Sequence, residues 1–313
     1  MEERALIEAI REAPRDDQRW AVYADQLQAR GDVRGQLIAL SLAGKSRAER
    51  LLRDKRRARL GADALWQALD SGVLEAAWRA GHLERANFTT AQDQPQVLEA
   101  LFDSPLAVAL TSLDLRLADD EAVVSMACDL LCRVVPALRS LDVSTAGVVA
   151  NFAPVVTLSK LTRLEHARLY GVNVFDELRH ARLESLSLWF SDWQGAPGCV
   201  LGDLDAPGLV ELGLRTRFDS TPPLTRWIRE RCRTPLLRRL AIEASITSQL
   251  VEAVADAPFA SHLERLELLV IDDASAHALL SRRSSLPRLK SVNARFFRTS
   301  ASTEASVRAA FSA

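Results

Sequence analysis

The stretch Leu209-Val210-Glu211-Leu212-Gly213-Leu214 reads Leu-x-x-Leu-x-Leu, and the chain repeats it. Earlier copies are marked by Leu110, Leu113 and Leu115, by Leu138, Leu141 and Val143, by Leu164, Ala167 and Leu169, and by Leu183, Leu186 and Leu188. Later copies are marked by Leu237, Leu240 and Ile242, by Leu263, Leu266 and Leu268, and by Leu289, Val292 and Ala294. Successive copies start 28, 26, 19, 26, 28, 26 and 26 residues apart. Leu83, Ala86 and Phe88 form a degenerate copy 27 residues before Leu110.

Within each copy the apolar positions alternate with variable ones, as in Leu113-Asp114-Leu115-Arg116-Leu117. A period of two sends alternate side chains to opposite faces of a strand, and six residues are too few for an amphipathic helix. Helical patterns fill the intervals at Glu121–Val135, Leu224–Arg233, Ser248–Asp256 and Asp273–Arg283. A strand and a helix in each short unit cannot bury an apolar face alone, so neighbours must stack. The phrase and its period are those of a leucine-rich repeat. The expected fold is an α/β leucine-rich-repeat solenoid, with a parallel sheet on the concave side, helices on the convex side and a small all-helical head. The expected divisions are a head over 1–70, the solenoid over 71–298 and a C-terminal cap or tail over 299–313. The 19-residue step from Leu164 to Leu183 is too short for a strand and a full helix, so a loop or one 3₁₀ turn is expected there.

The repeats lack the asparagine usual at the ninth position of the phrase, where Ala118, Ala146, Val172, Ser191, Arg217, Ser245, Ile271 and Phe297 stand instead. Their turns must satisfy the backbone in another way. Hydrophobic residues make up 48% of the 313 and charged residues 26%, the balance of a globular chain. The formal net charge of −1 provides no global field for nucleic acid or an anionic membrane. No apolar run approaches the length of a membrane span. The acidic start Met1-Glu2-Glu3-Arg4 is not that of a signal peptide. Cys128, Cys132, Cys199 and Cys232 show no disulfide or zinc spacing, which points to a reducing cytoplasm.

Ahead of the repeats, three helices are expected over 3–42. Leu6, Ile7 and Ile10 share one face of the first, and Asp16 or Asp17 caps the second, which turns Trp20, Tyr23, Ala24 and Leu27 inward. Gly31 ends the second helix, and Val33–Leu42 forms the third, with Leu37, Ile38 and Leu40 buried. A longer helix over Ala48–Leu60 follows, then a further one over 92–104 with Val97, Leu98, Leu101 and Phe102 inward. The series Leu6-Ile7-Glu8-Ala9-Ile10, Pro14, Asp16-Asp17, Trp20–Asp25, Leu27, Arg30-Gly31-Asp32, Arg34-Gly35 and Gln36-Leu37-Ile38 resembles the bacterial repeat-companion domain. That module of large-genome bacteria, myxobacteria and planctomycetes among them, typically precedes leucine-rich repeats. Gln26, Gln28, Val33 and Gln36 depart from its usual Trp-Leu-Glu-Glu-Arg-Gly-Asp-Pro-Arg-Gly-Glu. Trp78–Glu84 also resembles the family's approach to its first strand. The resemblance implies no catalytic residue.

Alternation places the third, fifth and seventh residues of each phrase on the concave face. Tyr170 and Trp189 then fall on adjacent strands, flanked by His166, Arg168 and Arg215. Aromatic and arginine side chains dominate binding hot spots, so these five form a candidate protein-binding centre. The alternative is that Trp189, Phe190 and Trp193 pack under the loop 191–200. Lys45–Arg59 carries eight basic and two acidic residues, and its Arg53, Lys55, Arg56 and Arg57 form a candidate patch for an anionic partner. The competing reading is a solvated helix face, since no aromatic residue is interleaved for base stacking. Asp25, Asp32 and Arg34 are read as caps and an internal ion pair, or else as a docking surface.

No catalytic residue, metal site or cofactor is expected. The five histidines are scattered, no nucleophile elbow, phosphate loop or His-Glu-x-x-His is present, and the cysteines lack partners for a metal. The expected function is a non-enzymatic, cytoplasmic scaffold or adaptor that binds another protein on the concave face. It involves no membrane, and nucleic acid is not the expected partner. Two alternatives stay open: a regulated component, or a protease or kinase target, in a bacterial signalling or defence system; and an effector-type enzyme whose repeats select its substrate. Partner identity, oligomeric state and the task of the head are not readable from the residues.

Overall fold

A computed structural model describes residues 2–90, 94–117, 126–127, 130–131, 137–145, 158–170, 175–190, 201–216 and 221–311. The chain divides into two compact units, 1–143 and 144–313. In the first, helices α1 (Glu3–Glu12), α2 (Asp17–Ala29) and α3 (Val33–Leu42) form the expected head. Asp16 accepts from the Gln18 and Arg19 amides, and Asp32 accepts from the Arg34 amide, so both helix starts are capped by carboxylates. Gly31 lies between the helices at φ +71°, where a side chain would be strained. Gly35 lets α3 close on α2, since a Cβ there would sit 2.6 Å from the Ala24 carbonyl oxygen. Leu6, Ile10, Trp20, Tyr23, Leu27 and Ile38 bury together. Leu40 is only partly buried.

The single helix expected over Ala48–Leu60 is two, α4 (Ser46–Lys55) and α5 (Arg57–Leu60), broken at Arg56. The break lets Arg57 turn back to Asp70 in α6 (Asp63–Ser71), at 2.5 Å, while Trp66 donates to the Arg57 carbonyl at 3.0 Å. Strand β1 (Leu74–Arg79) then pairs antiparallel with β2 (His82–Phe88). The two-residue turn Ala80-Gly81 has φ of +47° and +71°, the hand that matches strand twist in a hairpin. β1 was not foreseen, because its Glu75-Ala76-Ala77 core lacks the repeat phrase. Helix α7 (Gln94–Asp103) buries Val97, Leu98, Leu101 and Phe102 as expected. β3 (Ser112–Leu117) runs parallel to β2, and β4 (Ser140–Thr145) follows it in the sheet.

The second unit holds two sheets. β5 (His166–Tyr170), β7 (Ser185–Phe190), β9 (Glu211–Thr216), β11 (Arg239–Ser245), β12 (Arg265–Ile271) and β13 (Ser291–Phe296) lie in that order, all parallel and not closed into a barrel. β6 (Phe175–Arg179), β8 (Leu201–Asp205) and β10 (Cys232–Arg233) make a second, three-stranded parallel sheet. Helices α8 (Thr221–Glu230), α9 (Ser248–Asp256), α10 (Asp273–Ser281) and α11 (Ala301–Phe311) fill the later intervals, each packed on the next. Parallel pairing in sequence order requires such crossovers. α11 covers β13, the edge where unpaired backbone would otherwise be exposed.

The short step from Leu164 to Leu183 holds β6 rather than a loop or 3₁₀ turn. A strand covers length with fewer residues than a helix, 3.3 Å against 1.5 Å per residue by the usual rough values, so the shortened repeat can still reach a second layer. The helix expected over Glu121–Val135 lies largely outside the described residues, as do Cys128, Cys132 and Cys199. The expected core strand positions are all buried: Leu113, Leu115, Leu141, Leu186, Leu188, Leu212, Leu214, Leu240, Leu266 and Leu268.

Two backbone devices recur with the phrase. The amide of its first leucine closes a tight turn onto the carbonyl three residues back, at Leu110, Leu164, Leu209, Leu237, Leu263 and Leu289. The carbonyl of its second residue accepts two successive amides from the next copy. Glu184 takes those of Val210 and Glu211, Val210 those of Arg238 and Arg239, Arg238 those of Glu264 and Arg265, and Glu264 those of Lys290 and Ser291. These bonds satisfy the strand starts through the backbone itself.

Trp20 is 1% exposed and its indole donates to the Pro14 carbonyl at 2.8 Å, so Trp20→Ala should cost about 3–5 kcal/mol in the denaturation of the first unit. A second prediction concerns His82, buried between the Trp20 and Tyr23 rings at centroid distances of 5.0 and 6.3 Å. Its Nδ1 meets the Ala80 carbonyl at 2.9 Å, and burial, with a lesser push from Arg34, drives its pKa down to about 4 against the opposing pull of Ala80 and Asp32. The unfolded chain, titrating near about 6.5, therefore binds the extra proton. Stability should be complete above about pH 6.5 and fall as pH drops towards 4, by up to about 1.4 kcal/mol per pH unit. Urea titrations at stepped pH should show His82→Phe removing that slope; an unchanged slope would assign it to other groups.

Candidate functional site

Register decides which side chains of the larger sheet meet. Tyr170 on β5 pairs with Trp189 on β7, Trp189 with Arg215 on β9, and Arg215 with Glu243 on β11. All four are the seventh residues of their phrases and emerge on the face opposite the buried leucines. The Tyr170 and Trp189 rings are tilted at 53° with centroids 4.9 Å apart. The Arg215 guanidinium carbon lies 3.7 Å from the Trp189 ring centroid, and its Nε is 2.9 Å from Glu243 Oε2. The row is thus a stack tied down at one end by an ion pair. Its rings are part-buried, and Arg215 and Glu243 are exposed.

Two residues earlier in each strand a second row runs in the same register: Arg168, Ser187, Gly213, Ala241, Glu267 and Asn293. Its middle three side chains are small. A Cβ on Gly213 would meet Ser187 Oγ at 2.9 Å, so the glycine gives that hydroxyl its space and keeps the row low. A third row carries Ser185, Glu211 and Arg239, with Glu211 and Arg239 3.5 Å apart. A depression of about 350 Å³ lies over the first two rows, lined by Arg168, Tyr170, Ser187, Trp189, Gly213, Arg215, Ala241 and Glu243. A second depression of about 250 Å³ shares Ala241 and Glu243 and adds Glu267, Leu269, Asn293 and Arg295.

Four of the five residues singled out for this face, Arg168, Tyr170, Trp189 and Arg215, line one depression. His166 does not; it is exposed at the start of β5. Glu243 and the floor of Ser187, Gly213 and Ala241 were not singled out. Their signal lay in register, since each stands at the same phrase position as a residue that was. The loop 191–200 and Trp193 lie outside the described residues.

The basic segment is arranged differently. Arg53 lies 3.8 Å from the Trp78 ring centroid and pairs with Glu49 at 2.9 Å. Arg57 pairs with Asp70 and Asp54 and lies over Trp66, whose ring stacks on Trp78. Burial lowers the Arg53 pKa, and the Asp70 hydrogen bond raises that of Arg57. Lys55 and Arg56 are exposed and form no ion pair among the described residues. In the head, Arg34 binds Asp32 at 2.6 Å and donates to the Tyr23 hydroxyl at 3.4 Å, while Glu3 pairs with Arg30 at 2.7 Å. These contacts are caps and internal pairs; Asp25 is exposed.

Buried His180 contacts the Leu161 carbonyl through Nε2 at 2.9 Å and accepts the Arg182 amide on Nδ1, which occupies both ring nitrogens in a turn. Burial pushes the Cys232 thiol up to about 12, so it is no nucleophile. No cluster of metal-ligating side chains occurs among the described residues, and no described helix is long and apolar enough to cross a membrane. No protein-family model matches the chain, and no curated protein matches it in sequence.

The stacked row can be tested by itself. Arg215→Ala and Trp189→Ala should each lower stability by at most about 1 kcal/mol, because the ion pair is exposed. Their double-mutant cycle should yield a coupling of about 0.5–1 kcal/mol from the cation over the ring. Additive effects would mean the stack contributes nothing.

Proposed function

We propose that this protein is a non-enzymatic binding module, a leucine-rich-repeat solenoid whose open sheet face holds another protein. The observation that carries the reading is the in-register row Tyr170, Trp189, Arg215 and Glu243 above a floor of small residues. Two large rings on an exposed strand face do nothing for the core, which is complete on the other face. Partly desolvated Trp, Tyr and Arg are the residue types that anchor interfaces. The solenoid reading is supported by the recurrent phrase, its parallel pairing and the recurring two-amide carbonyl. In this reading the capped helical head is a repeat-companion module, the protein acts in the cytoplasm, and its action is to present a stiff surface rather than to transform a substrate.

The experiment is a binding titration against a protein recovered from the native host. Replacing Tyr170 and Trp189 together by Ala should weaken binding about thirtyfold or more, the equivalent of roughly 2 kcal/mol, with an unchanged circular-dichroism spectrum. Lys55→Glu with Arg56→Glu is the matched control, because these cations are exposed whereas Arg53 and Arg57 are engaged in packing. Loss of affinity in the control alone would move the site to the head.

A further inference from the structure

We infer that the outward face of α4 and α5 is a second binding site, and that it takes an acidic segment of a protein with an apolar residue among its carboxylates. The inference does not rest on the reading of the sheet face. It rests on how the structure sorts the charges of Lys45–Arg59. Of the eight basic residues there, Arg53 and Arg57 lie over the Trp78 and Trp66 rings. The two carboxylates of the segment go with them: Glu49 pairs with Arg53 at 2.9 Å, and Asp54 with Arg57 at 3.2 Å. The remaining six, Lys45, Arg47, Arg50, Lys55, Arg56 and Arg59, are all exposed. None of the six forms an ion pair or a side-chain hydrogen bond among the described residues. A solvated helix face is ordinarily stabilised by opposite charges three or four residues apart, whereas Arg47 and Arg50 repel at that spacing.

Leu51 identifies the occupant. It is 62% exposed and stands on the same face of α4, one turn from Arg47 and one turn from Lys55. An apolar centre with a polar rim is the anatomy of a protein interface, where Arg is enriched and Lys depleted. Four of the six cations are Arg, and a guanidinium meets a carboxylate in two parallel hydrogen bonds. Nucleic acid fits less well. A phosphate backbone makes no use of Leu51, and no ring is offered to a base, since Trp66 is buried and Trp78 is stacked on it and covered by Arg53. A membrane surface also fits less well, because an interfacial helix inserts an apolar stripe and Leu51 is the one large hydrophobic exposed on α4. A second copy cannot pair through the same face, because like charges would meet.

Spacing follows from the helix. Arg47, Leu51 and Lys55 are four residues apart, about 6 Å per step at roughly 1.5 Å per residue. Carboxylates of the occupant should therefore flank its apolar residue on both sides at about that distance. This corresponds to three or four positions in a helical segment, or about two in an extended one at roughly 3.3 Å per residue.

The test selects a random dodecapeptide phage library on the full chain, with the Arg47→Glu, Arg50→Glu, Lys55→Glu protein as counter-selection. These side chains make no contact that the fold uses among the described residues, so the thermal unfolding of the variant should match that of the parent. Enriched peptides should carry acidic residues on both sides of an apolar one at the stated spacing. The leading peptide, made synthetically and labelled, should bind the triple variant about tenfold or more weakly. Replacing its apolar residue by Ser should weaken binding to the parent chain and leave binding to Leu51→Ser unchanged. A scrambled peptide that binds equally well would reduce the face to unspecific charge and overturn the inference. No enrichment over the triple variant would also overturn it, and a partner that still requires Tyr170 and Trp189 would leave the sheet face standing. The chain is titrated in parallel with a DNA duplex of mixed sequence and with vesicles of phosphatidylserine and phosphatidylcholine. Binding to either that is tighter than the peptide's and lost in the triple variant would give the face to nucleic acid or to a membrane and overturn the protein reading.

Discussion

The second unit depends on one carbonyl per phrase, that of the second residue at Glu165, Glu184, Val210, Arg238 and Glu264, which accepts two successive amides from the next copy. This bond pair fixes strand register at its first residue. Register matters here more than in most sheets, because a slip of one residue would turn every phrase leucine from the core to solvent. Leu186, Leu212, Leu240 and Leu266 then stand in one line across the sheet, each at most 1% exposed. No copy could bury its leucines alone; the neighbouring copy supplies the other wall.

The same constraint composes the opposite face. Arg215 and Glu243 are 28 residues apart in the chain, the length of one repeat, and meet at 2.9 Å because both are seventh in their phrases. Tyr170 and Trp189 are brought together by the shortened repeat, where β6 in the second sheet replaces a helix. Side chains on this face lie opposite the buried leucines, so the core does not dictate their identities. The second depression lies where the β12 register shifts between Leu268 and Val270, and Leu269 there is 43% exposed.

Periodicity of two made the strands and their buried positions legible, and caps made the head helices legible almost to the residue. What was not legible lacked a periodic signature. Cys232-Arg233 is too short to alternate, and Phe175–Arg179 and Leu201–Asp205 carry no repeat phrase, so the second sheet was hidden. β1 was hidden because its partner, not its composition, makes it a strand. Within the basic segment Arg53 and Arg57 look alike in sequence to Lys55 and Arg56. Only the stacked Trp66–Trp78 pair, brought together by the β1–β2 hairpin and α6, separates the packed arginines from the exposed cations. The site was half legible: alternation placed Tyr170, Trp189, Arg168 and Arg215 on one face, but Glu243 and the floor required register, which depends on hydrogen bonds between segments far apart in the chain.

An aromatic side chain on an open strand face is a poor anchor if it must be immobilised at the moment of binding, because each rotamer-rich side chain ordered at an interface costs about 0.5–1.5 kcal/mol. Trp189 avoids most of that cost. The Tyr170 ring lies against it at a 53° tilt, Arg215 covers one face at 3.7 Å, and Glu243 pairs with Arg215. The ring is therefore oriented before any partner arrives, and the floor beside it is already low because of Gly213. In the binding role proposed above, affinity would therefore come from surface offered in the correct geometry rather than from rearrangement.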